Sequence, residues 1–167
     1  MLERRYQQPS AFEIGEKENL IESVGMSVLL LKPEISLLEL DEQTRLTQLI
    51  EAHFALYGEP VFVFPVFIDR ETAEKLWQRD VEQYPWAESY YEHMTSSTSV
   101  AVILVGQESA SSLKRKIRTE MADSIARIKK VLCSDFNPDI VHGSDPNDGL
   151  LELQTFIEVV QKDTRSN

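Results

Sequence analysis

The chain is poor in cysteine, in long apolar runs and in positive charge. Among 167 residues there is one cysteine, Cys133. A single thiol excludes an intrachain disulfide and a cysteine-rich metal site, and it fits a reducing compartment such as the cytoplasm. The longest unbroken apolar run is Val100 to Val105. That is far short of the roughly 20 residues a spanning helix needs. The opening residues, Met1 to Ser10, have no apolar core behind them and do not read as a secretory signal. Lysine and arginine number 17 against 28 aspartates and glutamates, for a formal net charge of −11. Such a chain attracts nucleic acid or anionic membrane poorly at long range.

The positive charge that exists is concentrated. Lys114, Arg115, Lys116, Arg118, Arg127, Lys129 and Lys130 fall within 17 residues, opposed there only by Glu120 and Asp123. This island suits a small polyanion such as a triphosphate. The plainer reading is a solvated helix face, the commoner fate of a charge run.

Length and an apolar content of 42% fit one globular domain with a real core. Residues 1–25 read as an N-terminal arm, 26–160 as the domain and 161–167 as a polar tail. Ser27 to Leu31 is a continuous apolar run, as in a buried strand. Asp41 is placed to cap a helix that runs to Tyr57 and stops at Gly58. Val61 to Ile68 has strand character, and Pro65 within it predicts an edge position or a bulge. Arg70 to Asp80 and Pro85 to Met94 form two short helices, with Pro85 in the first turn of the second. Val100 to Val105 is a third strand. Leu113, Ile117, Met121, Ile125, Ile128 and Leu132 make one helical stripe without glycine or proline, which predicts a largely continuous helix. A short strand reaches His142, and a last helix covers about Gly149 to Val160. The order β-α-β-α-β-α-β-α suits an α+β, ferredoxin-like four-stranded antiparallel sheet with helices mainly on one face.

The chemistry concentrates at the fourth strand. His142 ends a short apolar run directly before Gly143, Ser144 and Asp145. An imidazole at a strand end, backed by a tight polar turn, is a candidate nucleophile or general base. Lys32 ends the first strand, so the two side chains can meet at one sheet edge. Each residue alone is equally at home in an ordinary strand-to-loop junction.

Four segments carry a resemblance to the nucleoside diphosphate kinases. Leu31-Lys32-Pro33-Glu34 looks like that family's Ile-Lys-Pro-Asp. Met94 to Gly106 is similar to its Met-x-Ser-Gly-Pro turn and following buried strand. Thr119 to Ser124 looks like Thr-Asn-Pro-Ala-Asp-Ser, and Ile140 to Asp145 resembles Ile-Ile-His-Gly-Ser-Asp. The segments keep the family's order and nearly its spacing from Ser27 to Ile157. The resemblance implies transfer of a γ-phosphate between nucleotides through a phosphohistidine at His142, with Mg²⁺ accompanying the nucleotide. It implies that Lys32 supplies charge, that Glu152 orients the histidine and that Ser144 supports the constellation. It puts Trp86 and Phe136 on the two sides of a bound base, and Thr119 and Lys129 in the phosphate shell with Lys114 or Arg115. The partners so implied are nucleoside tri- and diphosphates and further copies of the chain.

The departures from the family pattern are specific. Lys129 stands for an arginine and loses the bidentate fork. Asp139 stands for an asparagine and sets a carboxylate beside the phosphates, where it repels them unless it binds metal or turns away. Gln78 stands for a tyrosine. The family's Lys-Pro-Gly loop is missing between Ser124 and Ile128, where the helical stripe runs straight through. A helix in place of that loop implies an assembly different from the family's usual hexamer. The alternative to an active phosphotransferase is therefore a catalytically weakened nucleotide-binding or interaction module on the same fold. A nucleic-acid binder using the basic island is weaker, given the acidic chain.

Overall fold

Every residue of the first strand, β1 (Met26–Leu31), is buried. The computed structural model, which describes residues 25–132, 135–136, 138–145, 151–156 and 158–159, shows why. On one side β1 pairs antiparallel with β3 (Ser99–Val105), from Met26 opposite Val105 to Leu31 opposite Val100. On the other it pairs antiparallel with β4 (Val141–Gly143), with Leu30 opposite His142. β2 (Phe62–Val66) pairs antiparallel with β3, so the order is β2-β3-β1-β4. This is the expected ferredoxin-like α+β sheet. Pro65 lies on the edge strand, where its missing N–H interrupts no inner ladder.

The helices lie on both sides of this sheet. α1 (Leu40–Tyr57), α4 (Ser109–Glu120) and α5 (Ala122–Leu132) pack with Leu29 and Leu31 of β1. These form the helical layer on the face where the sequence leads one to expect most of the helices. Met26, Val28 and Leu30 point the other way, against α2 (Arg70–Val81), α3 (Ala87–Met94) and the helical residues 151–156 and 158–159. That second cover explains the unbroken apolar run of β1, since a strand with one wet face would alternate.

Local signals differ from expectation in three places. α1 is capped by Glu39 rather than Asp41: Glu39 and Glu42 form a reciprocal capping box, and Gly58 at φ 101° ends the helix. Pro85 precedes α3, whose N-cap is Trp86. The stripe from Leu113 to Leu132 makes two helices, broken at Met121 (φ −116°, ψ 23°). Hydrogen bonding passes through that residue: the N–H of Met121 donates to Ile117 and that of Ile125 to Met121. Ser124 to Arg127 is helical, as the stripe requires. The arm (all but Gly25), the tail, Cys133, Gly149 and Val160 lie outside the described residues.

Arg127 of α5 pairs with Glu42 of α1 and donates to the carbonyl of Leu37 at 3.0 Å. The Arg127 hydrogen bond is the chief reason the Glu42 carboxyl is lowered from 4.5 to about 2. A depressed carboxyl stabilises the fold fully above its unfolded value, and that stability is lost as pH falls from 4.5 towards 2. Denaturant unfolding of wild type and Glu42→Gln should therefore show a gap at pH 7 that narrows over this window. A gap that does not change with pH would remove the pair from the acid stability of the fold.

Candidate functional site

Strand parity brings Lys32 and His142 to one cleft. His142 faces Leu30 across the β1–β4 ladder, so both side chains project to the α2–α3 side of the sheet. Lys32 follows two residues after Leu30 and keeps that parity, and its N–H extends the ladder by donating to the carbonyl of Ile140 at 3.0 Å. The cleft is about 590 Å³, and its lining includes Lys32, His142, Trp77, Trp86, Arg118 and Lys129. Ala122, Ile125, Ala126 and Lys129 make one wall of it, spaced as one face of α5.

His142 is held by its far nitrogen. Its Nε2 lies 3.0 Å from Oε1 of Glu152, which is buried. A carboxylate there favours the tautomer with hydrogen on Nε2 and leaves Nδ1 with its lone pair. Nδ1 has no hydrogen-bond partner among the described residues. The ring of Trp77 packs edge-on against the imidazole, with centroids 5.8 Å apart and planes at 87°.

Lys32 is almost fully buried, with its Nζ 5.0 Å from the centroid of the Tyr90 ring. Burial alone would lower its ammonium. Tyr90, Glu34 and Asp139 outweigh that cost and hold it above the ordinary lysine value. Burial raises the Tyr90 hydroxyl in turn, against the opposing pull of Lys32.

Gly143 and Ser144 fix the end of β4. A Cβ on Gly143 would come within 2.8 Å of the Ala110 carbonyl oxygen, so only glycine lets the strand pass α4 this closely. Ser144 is fully buried. Its Oγ accepts from the N–H of Val28 at 2.8 Å, and its own N–H donates to the carbonyl of Val28 at 2.9 Å. Ser144 therefore ties the turn after His142 to β1, and no described contact joins its hydroxyl to His142 or Glu152. Ser144→Ala orphans a buried N–H and should cost about 1–3 kcal/mol in denaturant unfolding. A loss under about 0.3 kcal/mol would show that water replaces the hydroxyl.

Several expected site residues are elsewhere. Arg115 and Thr119 are exposed on α4 and absent from the cleft lining, and the Thr119 hydroxyl donates to the Arg115 carbonyl within the helix. Lys114 donates to the Gly143 carbonyl at 3.0 Å. Arg118 reaches the cleft instead, where it pairs with Asp139. Helix phase carries the signal for it: with Leu113 and Ile117 facing the core, Lys114 and Arg118 share the adjoining flank. Phe136 is buried and lies outside the cleft lining, 6.3 Å from Trp86 between centroids. That is the distance of a direct ring pair, so the two rings cannot sandwich a base between them. Trp86 is half-buried, stacked on Tyr84 at 4.6 Å, and offers the cleft one aromatic wall. Trp77, which sequence reasoning passed over, is the ring that touches His142.

No protein-family model matches the chain, and no curated protein matches it in sequence. Its fold, however, is similar to solved nucleoside diphosphate kinases. The Aquifex aeolicus enzyme is 18% identical, with 80% of this chain and 94% of that chain covered and a TM-score of 0.54. The Halobacterium salinarum enzyme, solved in complex with CDP, is 21% identical, with 80% and 87% covered and a TM-score of 0.50. The α+β sheet described above is the fold of these enzymes. Among the described residues no helix is long and apolar enough to cross a membrane.

Proposed function

We propose that the protein is a phosphotransferase that moves the γ-phosphate of a nucleoside triphosphate to a nucleoside diphosphate through a phosphohistidine at His142. The observation that carries this reading is the contact between His142 Nε2 and Glu152 in a cleft that also holds Lys32. With Nε2 protonated and held, the Nδ1 lone pair attacks the γ-phosphorus. The bond from that phosphorus to the β–γ bridging oxygen breaks, and the diphosphate leaves with the electron pair. A terminal oxygen of the acceptor diphosphate then attacks the phosphorus, the P–N bond breaks and the neutral imidazole returns. Lys32, Arg118 and Lys129 supply positive charge where oxygens gain negative charge, which is most of what phosphoryl transfer asks of a protein.

Magnesium in this reading enters with the nucleotide. Among the described residues no three His, Cys, Asp or Glu side chains are grouped to hold an ion. Asp139, a carboxylate of the cleft, is engaged by Arg118. The same reading makes the protein cytoplasmic and a homo-oligomer.

A second reading is a weakened nucleotide-binding or interaction module. The Arg118–Asp139 pair and the exposed Arg115 and Thr119 favour it, because they reduce the free donors around a triphosphate. Incubation with γ-labelled ATP and Mg²⁺ separates the two. An acid-labile, alkali-stable label on the protein supports transfer, and its absence with retained nucleotide binding supports the module.

A further inference from the structure

We infer that Asp139 and Arg118 form an ion-pair latch across the cleft, in which the protein's own carboxylate holds an arginine that would otherwise grip a polyphosphate. The inference rests on the proposed reading only in taking the cleft as a polyphosphate site. Arg118 leaves the last turn of α4 just before the break at Met121, and its guanidinium engages one oxygen of Asp139, Oδ2, through both Nε and Nη2. The other oxygen, Oδ1, accepts from the N–H of Val141 at 3.4 Å, which fixes the carboxylate three residues before His142. The arginine side chain is 51% exposed and that of Asp139 13% exposed. The carboxylate is thus the fixed member of the pair, and the guanidinium is the member free to swing.

Charge in the cleft makes this pair decisive. Among the described residues its lining holds three cationic side chains, Lys32, Arg118 and Lys129, and two carboxylates, Asp80 and Asp139. Lys32 is a compact ammonium beside Tyr90, Glu34 and Asp139 and carries no planar fork. A polyphosphate that enters must therefore take Arg118 from Asp139 or forgo its planar fork. Phosphate can win that exchange because it brings more charge and more acceptor oxygens than one carboxylate. The latch lowers affinity for any polyanion too small or too weakly charged to break the pair, and it admits a chain of phosphates.

Calorimetric titration of the full chain with inorganic tripolyphosphate tests the latch without any need for transfer. Asparagine at position 139 keeps the Oδ1 acceptor for Val141, so Asp139→Asn should fold, and its thermal unfolding should stay close to that of wild type. It should bind tripolyphosphate about tenfold or more tightly, the worth of one hydrogen bond to a charged group. Net charge alone would also favour this variant, so Arg118→Lys in the Asp139→Asn background is the deciding protein. Lysine keeps the charge and loses the fork. The latch requires that this double variant give back most of the gain. Unchanged or weaker binding in Asp139→Asn, or a full gain kept with lysine at position 118, overturns it. Label on His142 in wild type alongside such a failure would leave the transfer reading standing. A gain that behaves as expected with no label on His142 would leave the latch standing and remove the transfer reading.

Discussion

His142→Ala is expected to abolish both the covalent label and phosphoryl transfer between nucleotides. The reason is the loss of the attacking atom, not of a rate-enhancing contact. Without Nδ1 the two-step route has no intermediate, and the cleft retains only charge and orientation. Alanine also strands the buried Glu152, which holds His142 at 3.0 Å. Some of any loss could then be a loss of fold. His142→Gln keeps an N–H donor for Glu152 and removes the nucleophile, so it should fold more nearly as wild type does and still take no label. Near-wild-type transfer in a folded His142→Gln would sink the phosphohistidine mechanism and require direct transfer between two bound nucleotides. Label that persists elsewhere in the chain would sink the assignment of the nucleophile alone.

The parts of this architecture that were legible in the sequence are those set by short periods. Strand parity is local, so an apolar run ending in Lys32 and another ending in His142 already define which sides those residues share once the strands are neighbours. The stripe from Leu113 to Leu132 gave helix across Ser124 to Arg127 for the same reason, although no glycine or proline marked the break at Met121. Residues assigned by motif position alone were less well placed. Thr119 and Arg115 were assigned by motif position, but the phase of α4 turns both residues out to solvent and Arg118 towards the cleft. Phe136 was legible as an aromatic near the site, but its depth was not: Tyr90 and His93 of α3 pack against its ring, and that cover depends on contacts far apart in the chain. Ser144 shows the same limit. A hydroxyl in a catalytic-looking turn is taken by the backbone of Val28, which lies 116 residues away.

Lys32→Met should slow the transfer step by about 10²-fold or more, the scale on which one well-placed charge-stabilising group acts. Methionine preserves the long unbranched stem in a site with 5% exposure, so packing changes little and the lost quantity is mainly charge. The folded state holds this ammonium above its ordinary value of 10.5, because Tyr90, Glu34 and Asp139 together outweigh the burial that would lower it. The sign then follows. A raised pKa contributes stability that is full below 10.5 and is lost only as pH rises through the folded value. Between pH 7 and 10 Lys32 therefore remains charged, and the Met variant should lower the whole profile of kcat by a similar factor without changing its shape. A group that only draws nucleotide into the cleft would raise KM and leave kcat alone. That pattern would return Lys32 to the role of counter-charge for the fully buried Glu34, and the barrier-lowering charge would then have to come from Arg118 and Lys129.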